Sequence, residues 1–427
     1  MDTIFALATA RGRAGVAVIR ISGPHALSAA ESLCGTLPPP RRASLRRLTS
    51  GGALIDEAIV IVFEAGQSFT GEPVVELQVH GSPAVVRAIT EALGRHVGLR
   101  MAEPGEFTRR AMEHGRIDLT QVEGLADLLS AETEAQRLQA QRVLAGALGR
   151  LAEAWRRRLI RAAALIEATI DFAEDDVPAD VVPEVATGLR DLAAELRSEI
   201  DGYGVAERIR DGFEVAIVGR PNVGKSTLVN ALAGRDAALT SPHAGTTRDV
   251  IEVRLELSGL AVTVLDTAGL RDTEDAVERL GVSRARDRAA AADLRVFLVE
   301  PGDMPCEPVP QEHDIVVVSK GDLHGEVADS VSGLTGDGLD TLVARIGRVL
   351  SQRTVGAATV TRTRHRNALE RAEQAVQRAL EELSARRHME LAAEEVRTAL
   401  RALDALVGRT DVEHILDEVF QSFCIGK

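Results

Sequence analysis

One run of residues could hold a phosphate chain: Gly219 through Ser226 reads GRPNVGKS, between the apolar stretch FEVAIVG and the helix-like STLVNALAG. This is the pattern GxxxxGK[ST] in the strand-to-helix setting that it requires. Backbone N–H groups of Asn222, Val223, Gly224, Lys225, Ser226 and Thr227 can cradle phosphates at the start of a helix. Lys225 can reach the outer phosphates, and the Ser226 hydroxyl can bind Mg²⁺. Downstream, the loop Ser241, Pro242, His243, Ala244, Gly245, Thr246 and Thr247 is followed by a strand ending in Asp266, Thr267, Ala268 and Gly269. These lie at the separations of two switch loops: Thr247 can offer a second hydroxyl to Mg²⁺, Asp266 can hold a metal-bound water, and the Gly269 N–H can meet a γ-phosphate. Farther on, Ser319-Lys320-Gly321-Asp322 offers a carboxylate that can accept from guanine N1–H and its amino group, which adenine cannot satisfy, while the Lys320 stem covers the base. Ser332, Gly333 and Leu334 form a second, weaker base-side loop. The set reads as a site that binds and hydrolyses GTP.

Two positions depart from the usual form of such sites. Ser319 stands where an asparagine is expected, whose longer amide would tether the base loop to the phosphate loop; reduced nucleotide affinity follows. Leu270 stands where many signalling GTPases carry a water-orienting glutamine, so another residue must position the water. Lysine is rare: of 50 basic side chains only Lys225, Lys320 and Lys427 are lysines, and two of the three fall in nucleotide-binding signatures.

The elements around these motifs divide the 427 residues into four segments. Residues 1–117 read as mixed α/β, with strand-like runs GVAVIRISG, EAIVIVFEAG and VVELQVHGS, a helix at PAVVRAITEALGRH, and a loop at PPPRR. Residues 118–210 turn helical, with Leu125, Leu128, Leu129, Leu159, Ile166 and Ile170 at spacings of three, four and seven, until IDFAEDDVPAD interrupts. Residues 211–351 alternate strands and helices, which predicts a mostly parallel sheet covered by helices. Residues 352–427 are helical again. The expected fold class is α/β plus α, an N-terminal α/β domain and a helical domain into which a Ras-like P-loop domain is inserted; two separate helical domains are the alternative.

Composition narrows the function classes. A hydrophobic content of 45% suits packed cores, and a net charge of −14 opposes unspecific adhesion to nucleic acid, so any RNA contact must be local or shared with a partner. Cys34, Cys306 and Cys424 are widely spaced and odd in number, which argues against a disulfide framework and for a reducing, cytoplasmic setting. No signal sequence or membrane span is expected, and the terminal CIGK fits a prenylation motif badly.

GRPNVGKS, GTTRD, DTAGLRDTEDAVERLG and the terminal FCIGK, together with VIRISG, VELQVHG, HGRIDLTQVEGLADL and IDFAEDDVP, resemble the MnmE (TrmE) family of tRNA modification GTPases in order along nearly the whole chain. The resemblance implies a homodimer formed through the N-terminal domain, which binds a methylene- or formyl-tetrahydrofolate. It also implies an FAD-dependent partner, MnmG (GidA), in a heterotetramer or larger assembly that binds tRNA mainly through that partner. Together they would add an aminomethyl or carboxymethylaminomethyl group at carbon 5 of the wobble uridine. By the same resemblance Asn222 would ligate potassium, with Ser241, His243 and Thr246 along the same loop and His243 serving only through its carbonyl. Glu278 would orient or activate the attacking water, and Cys424 would take part in the modification. Arg20, Glu76, Arg116 and Lys427 would contact the folate, Arg116 standing where some members have lysine. Each has a plainer reading beside it: a loop-capping amide for Asn222, a solvated helix face for Glu278, a core-edge ion pair for Arg20 and Glu76, a structural thiol for Cys424. Two other functions compete, a switch GTPase in ribosome assembly, for which no appended basic RNA-binding module is visible, and a folate-dependent methyltransferase that needs no FAD partner.

Overall fold

The computed structural model describes residues 2–171, 181–235, 239, 252–266, 287–303, 305, 309–324, 327–385, 388–410, 420, 423 and 426. They fall into two compact units: residues 1–126 with 149–153 and 403–427, and residues 127–148 with 154–402.

The first unit is built on a six-stranded sheet ordered β3-β4-β5-β2-β1-β6, from β1 (Thr3–Leu7), β2 (Ala14–Ser22), β3 (Ser44–Ser50), β4 (Ala53–Phe63), β5 (Val74–Gly81) and β6 (Leu99–Met101). Neighbours pair antiparallel except β1 and β6. Because side chains alternate across a strand, Ala17, Ile19 and Ile21 of β2 face a core with Phe5, Val60, Leu77, Ile89 and Leu93. Helices α1 (Ala26–Cys34) and α2 (Pro83–Gly94) cover that face, α2 opening on a proline in its first turn, where a missing N–H does no harm. The opposite face carries Ile4 and Ala6 packed with Ala102 and Phe107, the latter from α3 (Glu106–Glu113). Strand β3, SLRRLTS, was not anticipated from sequence. It is an edge strand whose arginines and half-exposed positions obscure the apolar alternation, and charged edges are what keep sheets from pairing further. Helix α4 (Leu119–Ser130) follows, and Val122 packs with Phe420 and Phe423 from the end of the chain.

The second unit begins within α4 and continues through α5 (Glu134–Leu144), α6 (Ala147–Asp171), α7 (Val182–Asp201) and α8 (Tyr203–Asp211). Trp155 is buried and donates to Glu195 on α7 at 2.9 Å. The α/β segment carries β7 (Phe213–Gly219), α9 (Lys225–Ala233), β8 (Glu252–Leu257), β9 (Leu260–Asp266), β10 (Leu294–Val299), β11 (Ile315–Ser319), α10 (Gly321–His324), β12 (Ser330–Val331) and α11 (Leu339–Arg353). Its sheet runs β12-β11-β10-β7-β9-β8, parallel throughout except for the β8–β9 hairpin. β9 and β10 are buried nearly end to end, as parallel strands covered on both faces must be. The chain enters and leaves this segment at adjoining points: Ala358 N donates to Gly202 O at 3.3 Å, and a side chain on Gly202 would strike Gly356 O. Helix α12 (Thr363–Ala385) then lies along α7, its Ala372, Ala375, Val376 and Ala379 fully buried, and α13 (Met389–Val407) follows. Among the described residues no helix is long and apolar enough to cross a membrane.

Candidate functional site

Strand β7 ends on Gly219 because nothing larger fits: a Cβ there would lie 2.7 Å from Leu298 O and 2.9 Å from Val223 Cγ1. The chain then turns through two left-handed residues, Asn222 at φ 63° and Gly224 at φ 107°, and enters α9 at Lys225. Asparagine is among the residues that tolerate that conformation best. The turn brings the N–H groups of the first turn of α9 to the carboxyl end of the parallel sheet, where open α/β sheets bind ligands. Lys225 is buried, and its Nζ donates to Gly219 O at 2.8 Å and Arg220 O at 2.9 Å, which holds the ammonium inside the loop. Asp266, also buried, closes β9 in register with Ile217 of β7, so the carboxylate stands one strand from the loop's origin.

The residues expected beside the base gather at the next strand ends. Ser319 is buried and its Oγ donates to Val299 O at 3.2 Å. Lys320 adopts φ 54° and pairs with Glu300 at 2.8 Å, and Asp322 lies in the short α10. Ser332 Oγ accepts from the N–H groups of Leu334 and Thr335, each at 3.2 Å. Gly333 lies directly on α9, since a Cβ there would meet the backbone of Thr227 and Leu228 at 2.9 Å. One end of the sheet thus carries the phosphate loop, Asp266 and both base-side loops. Of the other residues expected here, Ser241 through Thr247, Thr267, Ala268, Gly269 and Glu278 lie outside the described residues.

A second constellation lies on the first unit's sheet. Arg20 and Glu76 are register partners on β2 and β5, on the face that α3 covers, joined from Nε at 3.0 Å and Nη2 at 2.9 Å. The Arg20 guanidinium also stands 5.7 Å from the ring centroids of Phe69 and Phe107. Arg116, exposed after α3, approaches the same loop, its Cγ within 3.5 Å of a Cβ placed on Gly71. Cys424 and Lys427 lie outside the described residues, but Gly426 between them abuts β1: a Cβ there would be 2.1 Å from Leu7 O. The adjacent Ala6 is the register partner of Arg20.

Two residues farther along β2, at Ser22, stands an ion network that the sequence did not disclose. Arg110 on α3 donates to Glu72 at 3.1 Å, Glu106 at 3.0 Å and Asp2 at 2.8 Å, while Ser22 donates to Glu72 at 2.7 Å. Burial pushes the Glu106 carboxyl up, but hydrogen bonds from Arg100, the Glu103 N–H and Arg110 outweigh it and hold the group below the ordinary range. Phe69 and Phe107 were equally hidden. Both sit in stretches whose own pattern shows nothing beyond a loop and a helix, and only the sheet brings them to Arg20.

Two family models match in turn: GTP-binding protein TrmE N-terminus over residues 3–116, and MnmE helical domain over residues 119–424. Similar chains include the tRNA modification GTPase MnmE of Cereibacter sphaeroides, 60% identical over 429 residues, of Ruegeria pomeroyi, 58% over 430, and of Roseobacter denitrificans, 56% over 430, each matched over 100% of both chains. Among solved structures, an Era variant from Aquifex aeolicus bound to GDP and aluminium fluoride is 28% identical over 38% of this chain and 66% of that one, at a TM-score of 0.26.

Proposed function

Because the chain belongs to the MnmE family of tRNA modification GTPases, we propose that it is the GTP-hydrolysing, tetrahydrofolate-binding subunit of a complex that modifies carbon 5 of the tRNA wobble uridine. The modification would be an aminomethyl or carboxymethylaminomethyl group. The observation that carries the reading is the phosphate loop itself, with Lys225 buried among loop carbonyls at the start of α9 and Asp266 at the neighbouring strand end.

In this reading Lys225 exchanges its two carbonyl partners for phosphate oxygens, and the N–H groups of residues 222–227 wrap the phosphate chain. Asp322 accepts from the guanine edge, and Ser319, Lys320 and residues 332–334 frame the base. Ser226 and Thr247 would hold Mg²⁺ through their hydroxyls, and the ion would supply positive charge to the phosphate chain. Asn222, exposed on the outer turn of the loop, offers a hard amide oxygen that would hold potassium together with Ser241, His243 and Thr246, and the cation would supply further positive charge to the phosphate chain. Glu278 orients the water, the task for which Leu270 is unfit.

The Arg20–Glu76 pair fits a pterin. Its carboxylate can take the amide and amine edge, its flanking phenylalanines offer apolar walls, and Arg116 and Lys427 can meet glutamyl oxygens. The approach of Gly426 to β1 supports a role for the Cys424-to-Lys427 end at the same face. The proposal includes the four segments 1–117, 118–210, 211–351 and 352–427, a homodimer through the first, an MnmG partner that shares the tRNA, and a cytoplasmic location. Mass spectrometry of wobble uridines in tRNA from cells lacking the protein tests the reading: loss of the carbon-5 substituent is expected, and unchanged modification rejects it.

A further inference from the structure

Ser319 occupies the position at which an asparagine would join the base loop to the phosphate loop, yet its hydroxyl turns to Val299 O within the sheet. The sheet order dictates which residues can replace that link. β10 lies between β11, which leads to the base loop, and β7, which leads to the phosphate loop, with Val299 beside Val318 and Leu298 beside Gly219. The segment leaving β10 therefore stands between the two loops. It reads Glu300-Pro301-Gly302-Asp303. Asp303 N donates to Glu300 O at 3.0 Å and Gly302 takes φ 83°. Proline in the second place and a left-handed glycine in the third make this a type II turn, whose end residues have Cα atoms within about 7 Å of each other. Those ends carry the two carboxylates. Glu300 binds Lys320 of the base loop at 2.8 Å, and Asp303 binds Arg220 of the phosphate loop at 2.8 Å. Between this turn and Arg220, Pro221 and Val223 lies a small cavity of about 100 Å³.

We propose that the Glu300–Asp303 turn is a two-headed clamp that positions the base loop against the phosphate loop in place of the asparagine tether, and so sets guanine-nucleotide affinity. Glu300 and Asp303 are positioning residues that act through Lys320 and Arg220 and touch no nucleotide themselves. The inference rests on the reading of this sheet end as a GTP site. Both pairs are solvent-exposed, so each contributes modestly, and the clamp works because the rigid turn holds its two heads together.

The test is the dissociation rate of N-methylanthraniloyl-GDP from the full-length protein, with turnover at saturating GTP measured alongside. Glu300→Gln with Asp303→Asn is expected to speed release roughly two- to tenfold, while turnover at saturating GTP stays within about twofold, because chemistry is not what these residues support. Ser319→Asn, which supplies the missing amide, is expected to slow release and to reduce the effect of the paired substitution to under about twofold, since coupled groups are non-additive. Unchanged release in the paired variant, or an equal effect with and without Ser319→Asn, overturns the clamp while leaving the GTP site standing. Failure of the unaltered protein to bind the probe overturns both.

Discussion

The two candidate sites use ion pairs in opposite ways. Beside the Arg20–Glu76 pair, the Arg110 and Glu72 side chains are only 7% and 6% exposed, and each has its partners supplied from several elements. Around the phosphate loop the Arg220 and Asp303 side chains are 63% and 36% exposed, and each joins one loop to one turn. A buried, fully bonded network fixes the shape of a sheet face, and removing a member leaves a charge without compensation. Exposed pairs cost little to break, which suits loops that must change partners as a nucleotide enters and leaves. The difference teaches that the first unit presents a rigid floor and the second an adjustable rim.

The comparison breaks most readily at Arg110. Arg110→Met is expected to lower the unfolding free energy of the N-terminal unit by about 3–5 kcal/mol, read by calorimetry on the full chain, because it takes the cation from the buried Glu72 and one of the cations from Glu106. A loss below about 1 kcal/mol would put this network in the same class as the rim. Next in size is Lys225→Ala, for which GTP turnover should fall on the order of a hundredfold with the calorimetric trace of the first unit unaltered. A comparable loss in turnover without loss of nucleotide binding is expected for Glu278→Ala, and equal losses in both would remove its proposed role in orienting water.

On the floor itself, the proposed folate role of Glu76 predicts that Glu76→Gln weakens tetrahydrofolate binding by about tenfold, the scale of a charge-assisted hydrogen bond, measured by titration calorimetry. Acid should separate the units further. The Glu106 carboxyl is held low in the folded chain, so its contribution is fully present above its unfolded value of about 4.3 and is lost as pH falls through the lower folded value. The N-terminal unit of the unaltered chain should therefore lose stability below that pH, and the Arg110→Met variant should show a weaker acid dependence. The smallest effect is that of salt: near 1 M, where the screening length is about 3 Å, nucleotide release should quicken a few-fold while the stability of the first unit barely moves.

Much of the second unit was legible in sequence. The phosphate loop is local: its glycines, lysine and serine fall within eight consecutive residues, and its left-handed turns follow from steric rules that hold without neighbours, as Asn222 and Gly224 illustrate. Strands β7, β9 and β10 announce themselves as apolar runs for the same reason. Less of the first unit was legible. Strand β3 hides its pattern behind edge arginines, and no local motif sets Arg110 apart from the other arginines of the chain.

The sequence by itself determined the kinds of chemistry available, a phosphate-loop motif, a carboxylate at a strand end and a pair of opposite charges, because short motifs and residue types carry donors and acceptors with them. Tertiary structure alone decided which distant groups meet. Register set Arg20 beside Glu76 across 56 residues, burial joined Arg110 to Glu72, and strand order put the Glu300–Asp303 turn between two loops. Local rules fix conformation over a few residues, whereas pairing across a sheet depends on which strands lie together, and that is settled only when the whole core closes.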